Sequence, residues 1–104
     1  MKVARYIIVE VHPEEAIDKV ANELLRLFEK VVGIGLFRGR LIIADRIKNR
    51  LIIRVPTRYL KYARYVILAL REIDNLKIIA ITISVTGTLR KARAQARSIP
   101  PLLS

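Results

Sequence analysis

Two stretches of helical periodicity each stand between stretches of two-residue alternation, and that order confines what this chain can fold into. Residues 4–11 alternate, with Ile7, Val9 and Val11 on one side and Tyr6, Ile8 and Glu10 on the other, as a half-buried strand does. His12-Pro13 breaks the alternation, and Pro13 suits a first helical turn. Ile17, Val20, Ala21, Leu24, Leu27, Phe28 and Val31 then recur at helical spacing, with acids on the opposite face. Gly33-Ile34-Gly35 ends that helix. Residues 40–44 and 50–55 read as two strands joined by a five-residue loop, 45–49. A second helix opens at Pro56-Thr57 with Thr57 as its cap, and Asp74-Asn75 marks its exit. Residues 77–85 form the last strand and 88–97 a last helix, stopped by Pro100-Pro101. Strand, helix, strand, strand, helix, strand is the order of two βαβ units, and right-handed crossovers leave few alternatives to a split βαβ sandwich. The expected class is α+β, ferredoxin-like and RNA-recognition-like, with one added C-terminal helix.

Length and composition support one domain over 1–104, with 98–104 a short tail. Apolar residues make up 53% of the chain, which excludes a disordered polar tail. The chain has no cysteine, so disulfides, thiolate zinc sites and a cysteine nucleophile are excluded. No apolar run is long enough to span a membrane, and no leader pattern is visible, so a cytoplasmic protein is expected. Abundant isoleucine, a single glutamine and no cysteine fit a thermophilic source.

The net charge of +11 is unevenly placed. Glu10 to Glu29 holds six acids, against the bases Lys19 and Arg26. Val32 to Arg71 holds ten bases and one acid, and no acid follows Asp74. An excess concentrated this way is the footprint of a polyanion-binding surface. On the second helix Arg58, Lys61, Tyr62 and Tyr65 share a face, with Arg54 and Arg64 near in sequence. Guanidinium groups fork onto phosphates and tyrosines stack on bases. On the last helix Arg90, Arg93 and Arg97 fall at i, i+3 and i+7, with Lys91 alongside. Ala92, Ala94 and Ala96 leave that backbone close to whatever docks on it. Just before it, Val85-Thr86-Gly87-Thr88 runs from strand to helix. Gly87 permits a tight turn, Thr88 caps the helix, and the free amides with Arg90 and Lys91 make a phosphate-sized positive end.

The second face of the sheet is mixed: Tyr6, Ile8 and Glu10; Arg50, Ile52 and Arg54; Ile78, Ala80, Thr82 and Ser84. RNA, a protein partner or the chain's own last helix could each cover it. Ile8 and Ile52 are candidate protein contacts, as are Leu36 and Phe37 after the glycine-rich exit, and strand edges leave self-association open. His12 has no second His or Cys beside it and reads as a helix-entry residue, so no metal site is expected in the protein. No serine lies in a nucleophile-elbow pattern. The segment 33–40 is similar to the phosphate loop of acylphosphatases but follows the first helix instead of preceding it, which leaves a small phosphate-ester enzyme as the weaker alternative. No helix-turn-helix, zinc finger or aromatic RNA-recognition signature is present, so phosphate contacts to folded RNA are favoured over base stacking on the sheet.

Leu51-Ile52-Ile53-Arg54-Val55-Pro56, then Tyr59, then Val85-Thr86-Gly87-Thr88-Leu89-Arg90-Lys91-Ala92 resemble the archaeal and eukaryotic ribonuclease P protein component 2 family. That family shows Ile-Ile-Arg-Val before its second helix and Val-Ser-Gly-Thr-Ile-Arg-Lys-Ala after its last strand. Thr86 and Leu89 stand where Ser and Ile are usual. The opening Arg5-Tyr6-Ile7-Ile8-Val9-Glu10 also fits. The resemblance implies a subunit of the endoribonuclease that removes the 5′ leader from precursor tRNA, in which the RNA is the catalyst and this chain supplies no catalytic residue. It implies ribonuclease P RNA and precursor tRNA as RNA partners, component 3 as protein partner, and Thr86 to Lys91 as an RNA-contact turn. It also implies that the protein binds no cofactor, with Mg²⁺ on the RNA. Another RNA-associated module, for ribosome assembly or RNA chaperoning, remains the main alternative.

Overall fold

The computed structural model of the protein describes residues 3–32 and 41–103. Its main sheet holds β1 (Ala4–His12), β2 (Ile42–Ile47), β3 (Arg50–Pro56) and β6 (Ile79–Thr86) in the order β2-β3-β1-β6, all neighbours antiparallel. Helices α1 (Ile17–Val32) and α2 (Leu60–Ala69) follow β1 and β3. Between α2 and β6 lies a small hairpin of β4 (Glu72–Ile73) and β5 (Leu76–Lys77), and α3 (Leu89–Ser98) follows β6. This is the expected α+β split βαβ arrangement.

Strand alternation assigns the two faces. Ile7, Val9 and Val11 of β1 lie with Leu51, Ile53 and Val55 of β3 against Ile17, Val20, Leu24 and Phe28 of α1 and Ala63, Val66 and Ile67 of α2. The opposite face carries a smaller cluster, in which Ile8 and Ile52 pack beneath Ala92 and Ala96 of α3. The chain's own last helix therefore covers the part of the mixed face around Ile8 and Ile52, whereas Ile78 and Ala80, read from sequence as part of that face, pack in the opposite core, because a bulge shifts the β1–β6 register between Ile8 and Val9. The expectation that Ile8 and Ile52 meet a protein partner is corrected: both are 0% exposed. Small alanines let the α3 backbone sit low on the sheet, so the surface that docks there belongs to this chain.

Several boundaries differ from the sequence reading for identifiable reasons. The β2–β3 connection is a two-residue turn, Lys48-Asn49, with Lys48 left-handed at φ 55°. A bulge shifts the register between Ile43 and Asp45, so Asp45 to Ile47 stay in the ladder where a five-residue loop was expected. Thr57 does not cap α2. Its amide and its hydroxyl both donate to the Val3 carbonyl, each at 2.9 Å, and a 3₁₀ turn, Thr57–Tyr59, leads into the helix. Asp74 and Asn75, at φ 52° and 67°, form the turn of the β4–β5 hairpin, and the last strand starts at Ile79. Leu36 and Phe37, with the rest of the glycine-rich segment, lie outside the described residues.

Candidate nucleic-acid interface

β3 and β6 each run antiparallel to β1, so they run parallel to one another and end on the same rim of the sheet. Register places Arg54 opposite Tyr6, and Tyr6 opposite Thr86, in one row across three strands. The lead-in turn of α2 and the first turn of α3 both begin at this rim. The rim segments 4–6, 54–61 and 86–91 hold Arg5, Arg54, Arg58, Lys61, Arg90 and Lys91 and no acid. Among the described residues none of these six bases is in an ion pair.

The α3 end of the rim is built by short polar contacts. Thr88 is extended, and its hydroxyl oxygen accepts the Lys91 amide at 3.2 Å, which caps the helix as the sequence suggested. Thr86, buried, donates its hydroxyl to the Thr88 carbonyl at 2.9 Å and fixes the turn from behind. The amides of Leu89 and Arg90 belong to the first turn, where an α-helix offers no internal acceptor. Gly87 departs from expectation. Its φ lies outside the left-handed region, so chain reversal does not require glycine here. What glycine leaves room for is a close approach: a Cβ at Gly87 would stand 3.1 Å from Nη1 of Arg5, the movable end of that side chain. Arg5 thus joins the site across the β1–β6 pairing. Amides at a helix start together with guanidinium groups suit a phosphate oxygen in charge and geometry.

The expected contact residues do not form one surface. Thr86, Gly87, Thr88, Arg90 and Lys91 lie at the α3 end of the rim, with Arg54 in the same row as Thr86 but two strands away, beyond β1. Arg58, Lys61 and Tyr62 are exposed at the start of α2, on the other face of the sheet from α3. Arg93 lies midway along α3, and its Nε donates to Asp45 Oδ2 at 2.8 Å. That bond, with the Arg46 amide and the charges of Arg93 and Arg97, holds the Asp45 carboxyl below its usual pKa against a smaller opposing effect of burial. Arg97 sits in the last turn of α3, away from the rim.

Arg50, read from sequence as part of a mixed face, has a different role. Its Nε and Nη2 donate to Glu10 Oε1 at 3.1 and 2.8 Å. Its Nη1 donates to the carbonyls of Ala96 and Ile99 at 2.9 and 2.5 Å, and Nη2 to Pro100 at 2.9 Å. Glu10 Oε2 accepts from His12 Nε2 at 2.7 Å and from the Leu102 amide at 3.0 Å. Burial pushes the Glu10 carboxyl pKa up; the hydrogen bonds from His12, Arg50 and Leu102, with the Arg50 charge, together outweigh it and hold the group below its ordinary value. The tail is thereby pinned, and His12 serves a carboxylate. Among the described residues no group of three or more His, Cys, Asp or Glu could hold a metal ion. No helix among them is long and apolar enough to cross a membrane.

The sequence missed Arg5 and Arg50. Arg5 follows once β1 is paired antiparallel to β6, which sets its first residues against the strand-to-helix turn. Arg50 had a signal in its position opposite Glu10, a cross-strand pair of opposite charge on a half-apolar face.

No curated protein matches the chain. The family model described as the Rpp14/Pop5 family, a ribonuclease P family, matches residues 5–97. That span takes in the strand pair, the Arg54 row, the capped turn and the arginines of α3, so the chain belongs to the Rpp14/Pop5 family of ribonuclease P protein subunits.

Proposed function

We propose that this protein is a non-catalytic subunit of ribonuclease P of the component 2 type, which grips the backbone of the catalytic RNA through the basic rim of its sheet and supports removal of the 5′ leader from precursor tRNA. The observation that carries this reading is the Thr88-capped start of α3 with Arg90 and Lys91 in its first turn, the Arg5 guanidinium beside Gly87 and Arg54 in the Thr86 row, in rim segments without an acid. A folded ribozyme core brings phosphates close together, and cations must screen them. Fixed guanidinium and ammonium groups supply part of that screening. Mg²⁺ stays on the RNA, the protein binds no cofactor of its own, and no side chain of this chain does chemistry. Residues 1–104 act as one RNA-binding domain. A component 3-type subunit is the protein partner, and the setting is the cytoplasm of an archaeal cell.

The test is cleavage of precursor tRNA by the RNA over a Mg²⁺ titration, with and without this protein and its partner subunit. The expected result is a lower Mg²⁺ midpoint with the pair, raised again by Arg90→Ala/Lys91→Ala. A midpoint that the pair leaves unmoved contradicts the proposal.

A further inference from the structure

The outward face of α2 is chemically unlike the α3 end of the rim. Tyr62, Tyr65 and Leu68 are 45, 61 and 71% exposed. They sit at i, i+3 and i+6, so the two rings lie one above the other on neighbouring turns. Every charged residue from Thr57 to Ala69 is positive: Arg58, Lys61 and Arg64. None of the three is in an ion pair among the described residues. The Tyr62 ring is also backed by others. Its centroid is 6.4 Å from that of Tyr59, and Tyr59 meets the buried Phe28 edge-on at 6.2 Å. The Arg58 guanidinium lies 5.0 Å over the Tyr59 ring. A short ladder of rings therefore runs from the core to the surface, and it holds Tyr62 in place before anything binds.

We propose that this face of α2 binds unpaired RNA nucleotides, whose bases stack on Tyr62 and Tyr65 while Arg58, Lys61 and Arg64 hold their phosphates. The proposal rests on the RNA-binding reading above and names the class of RNA for a second site. Charge complementarity selects the occupant. A protein docked on these three basic side chains would need a matching set of acids. A polynucleotide supplies one negative charge per residue and a flat π face beside it, which is the pairing this surface offers. Paired bases are closed to the rings, because an A-form duplex presents backbone and 2′-hydroxyls. The α3 end has no aromatic side chain from Thr86 to Arg97, and the ring in the Thr86 row, Tyr6, is half-buried against the α3 cluster, so that end suits backbone. The two sites lie on helices packed on opposite faces of one sheet, so one copy can hold an unpaired segment on one side and a phosphate ridge on the other.

The experiment uses the full chain, with fluorescence anisotropy of two labelled RNAs: an unstructured uridine-rich strand of about ten nucleotides and a blunt hairpin duplex. Tyr62→Leu/Tyr65→Leu keeps the apolar area and removes both π faces, and Tyr62→Phe/Tyr65→Phe keeps the faces. The expected result is single-strand affinity lowered by roughly tenfold or more in the Leu pair, at every salt concentration and with unchanged salt slope and melting temperature. The Phe pair binds as the parent does, and duplex affinity is unaffected in both. Arg90→Ala/Lys91→Ala gives the opposite pattern. Undiminished single-strand binding in the Leu pair, or duplex binding by the parent without single-strand binding, overturns the α2 site and leaves the rim site standing. Failure of the parent to bind either RNA overturns both. Loss of a component 3-type partner subunit from the Leu pair, with RNA binding intact, reassigns the face to protein.

Discussion

Arg50 stands opposite Glu10 in the β1–β3 ladder, and the two side chains meet at 2.8 Å in the space between the sheet and α3. The pair does more than neutralise itself. Arg50 extends to three carbonyls at the C-terminal end of α3 and beyond it, where the helix dipole is negative, and Glu10 takes up the tail amide of Leu102. α3 offers the sheet mainly Leu89, Ala92 and Ala96, a small apolar area. Its position therefore depends on polar clamps at both ends: Arg50 at one, the Thr88 cap at the other, with Gln95 accepting from the Ser84 hydroxyl and Arg93 bonding Asp45 between them.

Arg50→Leu leaves Glu10 buried without its charge partner. Removing one member of a buried pair costs about 3–5 kcal/mol, and urea unfolding should show a loss of that size. Glu10→Leu/Arg50→Leu should recover much of it, because no uncompensated charge remains. Equal losses in the single and double variants would mean that the pair contributes only through its bonds to α3.

Acid should release the same clamp. The folded pKa of Glu10 lies below its ordinary value of 4.5, so the folded state binds this proton less readily than the unfolded chain does. The stability that the group contributes is complete above the unfolded pKa, and it is lost as pH falls through the lowered folded value. Melting temperatures from pH 7 downward should hold until about the ordinary carboxylate range and then decline. In Glu10→Gln the parent should be matched less closely at neutral pH than in strong acid. A gap between the two that stays constant across the range would contradict this assignment.

Thr88→Ala removes the cap and should cost about 1 kcal/mol, with faster amide exchange confined to the first turn of α3. Thr88→Ser should behave as the parent. The loss should weaken RNA binding as well, since the capped turn holds the free amides in line.

Gly87→Ala separates fold from site. The backbone there is open to alanine, and the atom that a new methyl group meets is the far end of a flexible arginine. Stability should be unchanged or higher by roughly 0.5 kcal/mol through the reduced freedom of the unfolded chain. RNA affinity should fall, because the Arg5 guanidinium must move aside. A loss of stability with affinity retained would show that the approach of Arg5 to Gly87 has no bearing on binding.

The strand and helix order was legible because burial imposes periods of two and 3.6, and those periods survive in the residues of β1, α1 and β3. The Thr88 cap was legible because it is a local contact. Boundaries failed where a distant partner intervened. The Thr57 hydroxyl is taken by Val3, across the sheet, and Asp45 is kept in its strand by a bulge that no local pattern announces. The basic residues were found as types and misplaced as a set. Spacing along one helix cannot tell that α2 and α3 pack on opposite faces, nor that Arg93 is matched by Asp45. Of the bases outside α1 itself, among the described residues only Arg46 pairs with that acidic helix, through Asp18 at 2.8 Å. The rim charge is thus not absorbed by it.

The most direct test is the salt dependence of binding between the protein and ribonuclease P RNA. With about five phosphates held, log K should fall against log salt with a slope of roughly −3.5 to −4.5, and Arg90→Ala/Lys91→Ala should make the slope shallower by about 1.4 to 1.8. A flat response in the parent chain, or an unchanged slope in the double variant, would contradict the claim that the rim of the sheet grips the RNA backbone.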